Sequence, residues 1–148
     1  MSFDPSDCVV LDSSVVIKWF RSHEALREQA LGLRQAYLDG LISIHVPELL
    51  TYEIANVLRY KPDMKETEVQ QALQSLFDMQ IGIEHIDPEV IKRAINIAYS
   101  YNITVYDAVF VALAKRLECD FITVDGELAQ KLHNIPCVHH LADLSGNF

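Results

Sequence analysis

The chain has 148 residues, of which 50% are hydrophobic and 22% charged, with a formal net charge of −9. That length fits one domain built on one core, spanning residues 1–148, and the composition excludes a disordered or collagen-like chain. The acidic balance argues against a general nucleic-acid binder, which carries a basic surplus, but leaves room for an enzyme meeting nucleic acid at a metal-filled acidic cleft.

Short apolar runs alternate with helical stretches along the chain, the pattern of βαβ units and a parallel sheet. Cys8–Leu11 is a continuous apolar run ending at Asp12 and reads as a buried strand. Ser13–Phe20 reads as a short helix capped by Ser13 or Ser14, and Glu24–Leu38 as a longer amphipathic one stopped at Asp39-Gly40. Ile42–Val46 is a second strand, and Pro47 opens a helix running to about Tyr60. Lys65–Gln80 is a further helix, followed by a strand at Ile81–Ile86. Asp87-Pro88-Glu89 starts a helix that reaches about Tyr101, with Asp87 as cap and proline at the first helical position. Thr104 opens the next helix, to about Leu117. A strand at Phe121–Val124, a helix at Glu127–His133 and a strand at Cys137–His140 complete the chain. The architecture predicted is α/β, a three-layer α/β/α sandwich around a mainly parallel sheet.

The longest unbroken apolar run, Ala108–Ala114, is far shorter than the roughly 20 residues that span a bilayer. The opening MSFDPSDC has no basic stretch followed by an apolar one, so it does not read as a secretory signal; no membrane association and a cytoplasmic location are expected. Cys8, Cys119 and Cys137 are odd in number and lack metal-ligand spacing, so they are expected as three buried thiols rather than a disulfide or zinc site. His139 and His140 are adjacent and would point to opposite faces of a strand.

Four carboxylates stand out. Asp12 and Asp125 each follow the C-terminal end of an apolar strand, the edge at which open α/β sheets bind ligands. A helix cap is the competing role for each. Glu53 shares a helix with Leu49, Leu50, Ile54, Val57 and Leu58 at spacings that put it inside the apolar stripe. A charge there needs a partner: a metal, hydrogen bonds, or a salt bridge to Arg59 or Lys18. Asp107 sits three residues after Thr104, which a capping box alone would explain. Converging carboxylates without His or Cys suit hard ions such as Mg²⁺ or Mn²⁺ and disfavour zinc. Two such ions roughly 3.5–4 Å apart support in-line phosphodiester displacement.

The segments VVLDSSVVIKWF, PELLTYEIANVL, TVYDAVFVALAKRLECDFITVD and GELAQKL resemble the PIN-domain family, and within it the VapC-type toxins of VapBC toxin–antitoxin pairs. The resemblance runs from Cys8 to about His140, with little motif information between Met64 and Tyr101. It implies that Asp12, Glu53, Asp107 and Asp125 are the catalytic and metal-holding acids of a Mg²⁺- or Mn²⁺-dependent endoribonuclease. It also implies an RNA substrate, a homodimer and a small antitoxin partner. The family often carries hydroxyl residues beside the first Asp and at the T of T-x-D, here Ser13 and Thr123, which would orient ligands or bind phosphate. Gly126 departs from the pattern, since many relatives carry a larger polar or basic residue there.

Lys18 and Arg21 are candidate phosphate contacts, as are Arg59, Lys61, Lys115 and Arg116. Trp19 and Phe20 read as core or dimer-contact residues, and Tyr52 and Tyr106 as helix-packing residues that could flank the cleft. Two other functions compete: a non-catalytic PIN-like module binding RNA or protein, and a phospho-receiver domain. The receiver requires a late strand-end lysine and paired acids at the first strand end, where this chain has Ser13-Ser14.

Overall fold

The computed structural model describes residues 7–144. The reading of Met1–Ser6 as no signal segment lies outside the described residues. Five strands, β1 (Asp7–Leu11), β2 (Ile42–Pro47), β3 (Gly82–Glu84), β4 (Asp120–Thr123) and β5 (Val138–His140), form one sheet in the order β3-β2-β1-β4-β5. Every pairing is parallel, so the sheet is wholly rather than mainly parallel.

The helices are α1 (Ser13–Val16), extended by a 3₁₀ turn at Ile17–Trp19, α2 (Arg27–Leu38), α3 (Leu49–Arg59), α4 (Glu66–Asp78), α5 (Pro88–Tyr101), α6 (Val105–Leu117) and α7 (Gly126–Lys131). Strand order makes the functional point. The chain leaves β1 toward β2 and β3, then crosses back to β4 and moves on to β5 on the other side. The usual right-handed crossovers then put the helices of the two halves on opposite faces, and the crevice opens where β1 and β4 end.

The core follows the periodicities in the sequence. Val9, Val10 and Leu11 are fully buried in the central strand, flanked by Ile44 and Val46 of β2 and Phe121 and Ile122 of β4. In α6 all seven residues from Ala108 to Ala114 are buried, so the longest apolar run is a core helix packed on β1, β2 and β4. No helix among the described residues is long and apolar enough to cross a membrane. Trp19 is a core residue; its indole N–H donates to the Ala30 carbonyl at 2.8 Å.

Several boundaries differ from expectation for local reasons. The second helix begins at Arg27 rather than Glu24, because His23 and Leu26 take left-handed conformations (φ 66° and 62°) that a helix cannot contain. Pro47 ends β2, beside Glu84 of β3, instead of opening α3. The fourth helix stops at Asp78, with Gln80 left-handed (φ 56°). Asp87 caps α5 as expected, accepting from the Val90 N–H at 2.9 Å.

The cysteine expectation is overturned. Cys8 and Cys119 form a disulfide, with Cα atoms 5.0 Å apart although 111 residues separate them in sequence. Spacing could not show this, because the pair meets only once β1 and β4 lie side by side. Cys137 is a free, half-buried thiol that burial pushes up in pKa, keeping it in its less reactive form.

Candidate active site

Asp12 is the first residue past β1, and its backbone N–H still donates to Ile122 of β4 at 3.0 Å. The pairing of Leu11 with Ile122 brings the Asp12 side chain beside Thr123. Thr123 Oγ1 donates to Asp12 Oδ2 at 2.7 Å, and Ser14 Oγ donates to the same oxygen at 3.0 Å. Both hydroxyls are themselves oriented by backbone N–H groups. Asp125 N–H donates to Thr123 Oγ1 at 3.0 Å, and Val124 N–H to Ser14 Oγ at 3.3 Å. Two amides and two hydroxyls therefore fix one carboxylate, and the rotor of each hydroxyl has its acceptor side occupied.

Asp12 occupies the N-cap position of α1 but its side chain makes no cap bond, so the capping role does not account for it. Neither Ser13 nor Ser14 caps that helix. Ser14 holds Asp12, and Ser13 Oγ donates to Glu53 Oε1 at 2.5 Å. Glu53 is half-buried on α3 beside buried Leu50 and Ile54, while Val57 is 41% exposed, so Glu53 lies at the margin of the apolar stripe. Its partner is the Ser13 hydroxyl rather than a cation. Arg59 stacks on the Tyr60 ring, and Lys18 Nζ lies 3.8 Å from Glu24.

Asp107 is half-buried in the first turn of α6, and its N–H donates to Thr104 Oγ1 at 3.0 Å. Asp125 caps α7, accepting from the Leu128 N–H at 3.1 Å. Asp125 is thus itself a cap, whereas Asp107 is the residue that Thr104 caps, which leaves the Asp107 carboxylate free of the capping bond.

The electrostatics tie the four acids together. Burial raises the Asp12 carboxyl above its ordinary value, against the pull of the Thr123 and Ser14 hydrogen bonds, and Asp125 adds repulsion. Glu53 is raised by burial, with the Ser13 bond opposing and Asp12 and Asp107 adding repulsion. Asp107 is raised by burial and by Asp12, with Asp125 contributing, while Thr104 and Lys131 oppose. Each acid acts on at least one other, and Asp12 connects with all three.

Other predicted contacts are engaged elsewhere. Arg21 binds both oxygens of Asp63 at 2.9 and 3.0 Å, and Arg116 pairs with Asp87. Tyr52 and Tyr106 are 61% and 65% exposed, not packed between helices as expected. Tyr52 donates instead to Glu48 on its own helix. A Cβ at Gly126 would meet nothing within 4 Å, so the space for a larger residue is present.

Two residues were not singled out in the sequence. Ser14 reads there only as a cap. Lys131 reads as half of a surface pair with Glu127, four residues earlier and 3.6 Å away. In the fold, Lys131 closes one side of a cavity of about 370 Å³ whose other walls include Asn102, Thr104, Asp107, Asp125 and Leu128.

The donor set is all oxygen, partly buried and short of cations, which fits a hard divalent ion. Among the described residues no three His, Cys, Asp or Glu side chains form a ready-made cage.

The chain is similar to Ribonuclease VapC3 of Pyrobaculum aerophilum, at 29% identity over 127 residues, covering 83% of this chain and 93% of that protein. Among solved structures it is similar to a toxin–antitoxin complex from Klebsiella pneumoniae (TM-score 0.68, 16% identity, 92% of this chain and 99% of that one). It is also similar to VapC20 of Mycobacterium tuberculosis, a sarcin–ricin-loop-cleaving toxin (TM-score 0.65, 12% identity, 82% and 93% covered). The model of the PIN domain matches residues 9–132, which include all four acids, and the chain belongs to the PIN domain family.

Proposed function

We propose that the chain is a metal-dependent endoribonuclease in which Asp12, Glu53, Asp107 and Asp125 hold Mg²⁺ or Mn²⁺, and that it is the toxin of a toxin–antitoxin pair. The observation that carries the reading is the gathering of carboxylates where β1 and β4 end: Thr123 and Ser14 hold Asp12, Ser13 holds Glu53, and Asp107 and Asp125 line one cavity. The named ribonuclease relative supports RNA as substrate.

A divalent ion held here would supply Lewis-acid charge for phosphodiester hydrolysis. Asp12 would hold it with a carboxylate that Thr123 and Ser14 keep in one orientation. Ser13 orients Glu53 in the same way. Asp125, whose carboxylate is fixed by the Leu128 N–H, and Asp107, in the first turn of α6, would be its other ligands. The reaction adds water across a backbone P–O ester bond and leaves one phosphate end and one hydroxyl end.

The proposal includes a small antitoxin partner, which the toxin–antitoxin complex among the similar structures supports, and a homodimer. It also places the protein in the cytoplasm with its RNA substrate. The test is cleavage of structured RNA by purified protein with Mg²⁺ or Mn²⁺ near neutral pH, against Asp12→Asn and Asp107→Asn. Activity confined to the wild type supports the reading. Equal activity in all three, or none in the wild type, contradicts it. RNA binding without metal uptake would favour the non-catalytic module, for which the net charge of −9 is the motive.

A further inference from the structure

We infer that the cavity beside Asp107 and Asp125 is the subsite for a nucleotide flanking the cleaved bond, with Lys131 as the anchor for that nucleotide's phosphate. The inference rests on the ribonuclease reading. Position comes first: the cavity, about 370 Å³, shares Asp107 and Asp125 with the acidic crevice, so a chain held at the acids must continue into it or away from it. Its walls have the chemistry of a nucleotide. Ile103 and Leu128 are apolar surfaces for a base or ribose, and Asn102 brings an amide that can both donate and accept.

Charge decides the direction. With a net charge of −9 and four clustered acids, the protein repels an RNA backbone everywhere except where a local cation offsets it. Several of the other candidate cations are engaged away from the cavity: Lys18 is turned to Glu24, Arg21 is held by Asp63, Arg116 by Asp87, and Arg59 lies over the Tyr60 ring; neither Lys61 nor Lys115 lines the cavity. Lys131 is the cation whose charge reaches Asp107.

Its present partners are weak ones for a lysine. Nζ donates to the Asn102 carbonyl at 3.1 Å, and the largely exposed Glu127 carboxylate is 3.6 Å away. An incoming phosphate can take over the ammonium by a small side-chain rotation while the Asn102 contact keeps Lys131 at the cavity mouth. Asn102 itself is left-handed (φ 53°) at the end of α5, which turns its carbonyl out of the helix toward α7.

The test compares wild type, Lys131→Met and Lys131→Arg in two assays. In the first, a fluorescent single-stranded oligoribonucleotide is titrated with Ca²⁺ in place of Mg²⁺, across a salt series. Lys131→Met should weaken binding roughly tenfold and lower the salt slope by about one ion, and Lys131→Arg should restore most of both. In the second, cleavage with Mg²⁺ should show KM rising by a larger factor than kcat falls for Lys131→Met on the oligonucleotide, with Lys131→Arg recovering most of both. A small phosphodiester with no flanking nucleotide, bis(p-nitrophenyl) phosphate, should lose much less in kcat/KM on Lys131→Met than the oligonucleotide does, and an equal loss on both substrates overturns the subsite. An equal Kd and salt slope for wild type and Lys131→Met overturns the subsite and leaves the cavity to a protein partner. So does absence of any RNA binding. A binding difference without cleavage of either substrate by the wild type overturns the nuclease reading, and with it the place of the nucleotide beside a cleaved bond, and keeps only Lys131 as a phosphate anchor for bound RNA.

Discussion

Thr123 Oγ1 reaches across the β1–β4 pair and donates to Asp12 Oδ2 at 2.7 Å, joining residues 111 positions apart. The bond is buried, and the Asp125 N–H behind Thr123 Oγ1 leaves that hydroxyl donating forward to Asp12. Removing the hydroxyl while keeping the shape should therefore loosen Asp12 without unfolding the sheet. Thr123→Val is expected to lower metal affinity or activity about 10–100-fold, the usual cost of losing a group that orients a ligand. Ser14→Ala should behave alike, and Thr123→Ser should recover much of the loss. Metal titration by calorimetry, with cleavage rates alongside, checks this.

The acids also predict a pH dependence. Asp12, Glu53 and Asp107 are raised in the folded protein above ordinary values of 3.8, 4.5 and 3.8. As pH rises from those values through the raised ones, the unfolded chain releases its protons first. The folded state then holds more protons than the unfolded, and stability falls with rising pH. Asp63 and Asp87, lowered by their arginine partners, work in the opposite sense, but only as pH falls below 3.8. In EDTA the melting temperature should therefore drop as pH rises above the ordinary carboxylate values and through the raised ones. Mg²⁺ should raise it more at neutral than at acidic pH, and Asp107→Asn should flatten the dependence. A melting temperature that climbs steadily toward neutral pH in EDTA would argue against this electrostatic description.

The Cys8–Cys119 bond closes a loop containing Asp12, Glu53 and Asp107, yet it lies at the opposite end of β1 from Asp12. It should matter for stability and little for chemistry. Cys8→Ser, or reduction with dithiothreitol, is expected to cost about 2–5 kcal/mol of folding stability. Cleavage at 25 °C should stay close to wild type. Because reducing compartments oppose such bonds, thiol titration of protein freshly released from cells reports how much is oxidised there. Thermal melts with and without reductant give the stability term.

How much of this was legible in the sequence depended on whether the cause was local. The strand runs ending at Asp12 and near Asp125, the Asp87-Pro88 helix start and the Thr104 cap are local patterns, and the structure has them. Asp12 and Asp125 stand out at strand ends and Glu53 beside Leu50 and Ile54, where a charge needs a reason, whereas Asp107, which a capping box would explain, is carried by the family resemblance. What sequence did not yield depends on strands meeting in space. Ser14 looks like a cap until β4 is placed beside β1, and Cys8 looks like a free thiol for the same reason. Lys131 looks like a surface ion-pair member until the turn at Asn102 faces α7. The late start of α2 is illegible because Leu26 is not a residue type that signals the left-handed backbone it adopts.

The central claim is that Asp12 and its three neighbours hold a divalent ion that cleaves RNA. Single-turnover cleavage of a defined RNA over a Mg²⁺ titration, for wild type and Asp12→Asn at pH 7.5, tests it most directly. The account predicts saturable, EDTA-reversible cleavage by the wild type. Asp12→Asn should be slower by at least about 10²–10³-fold, the scale set by losing a charge-stabilising group at a reacting centre. Cleavage that persists in EDTA, or that Asp12→Asn leaves intact, would contradict it.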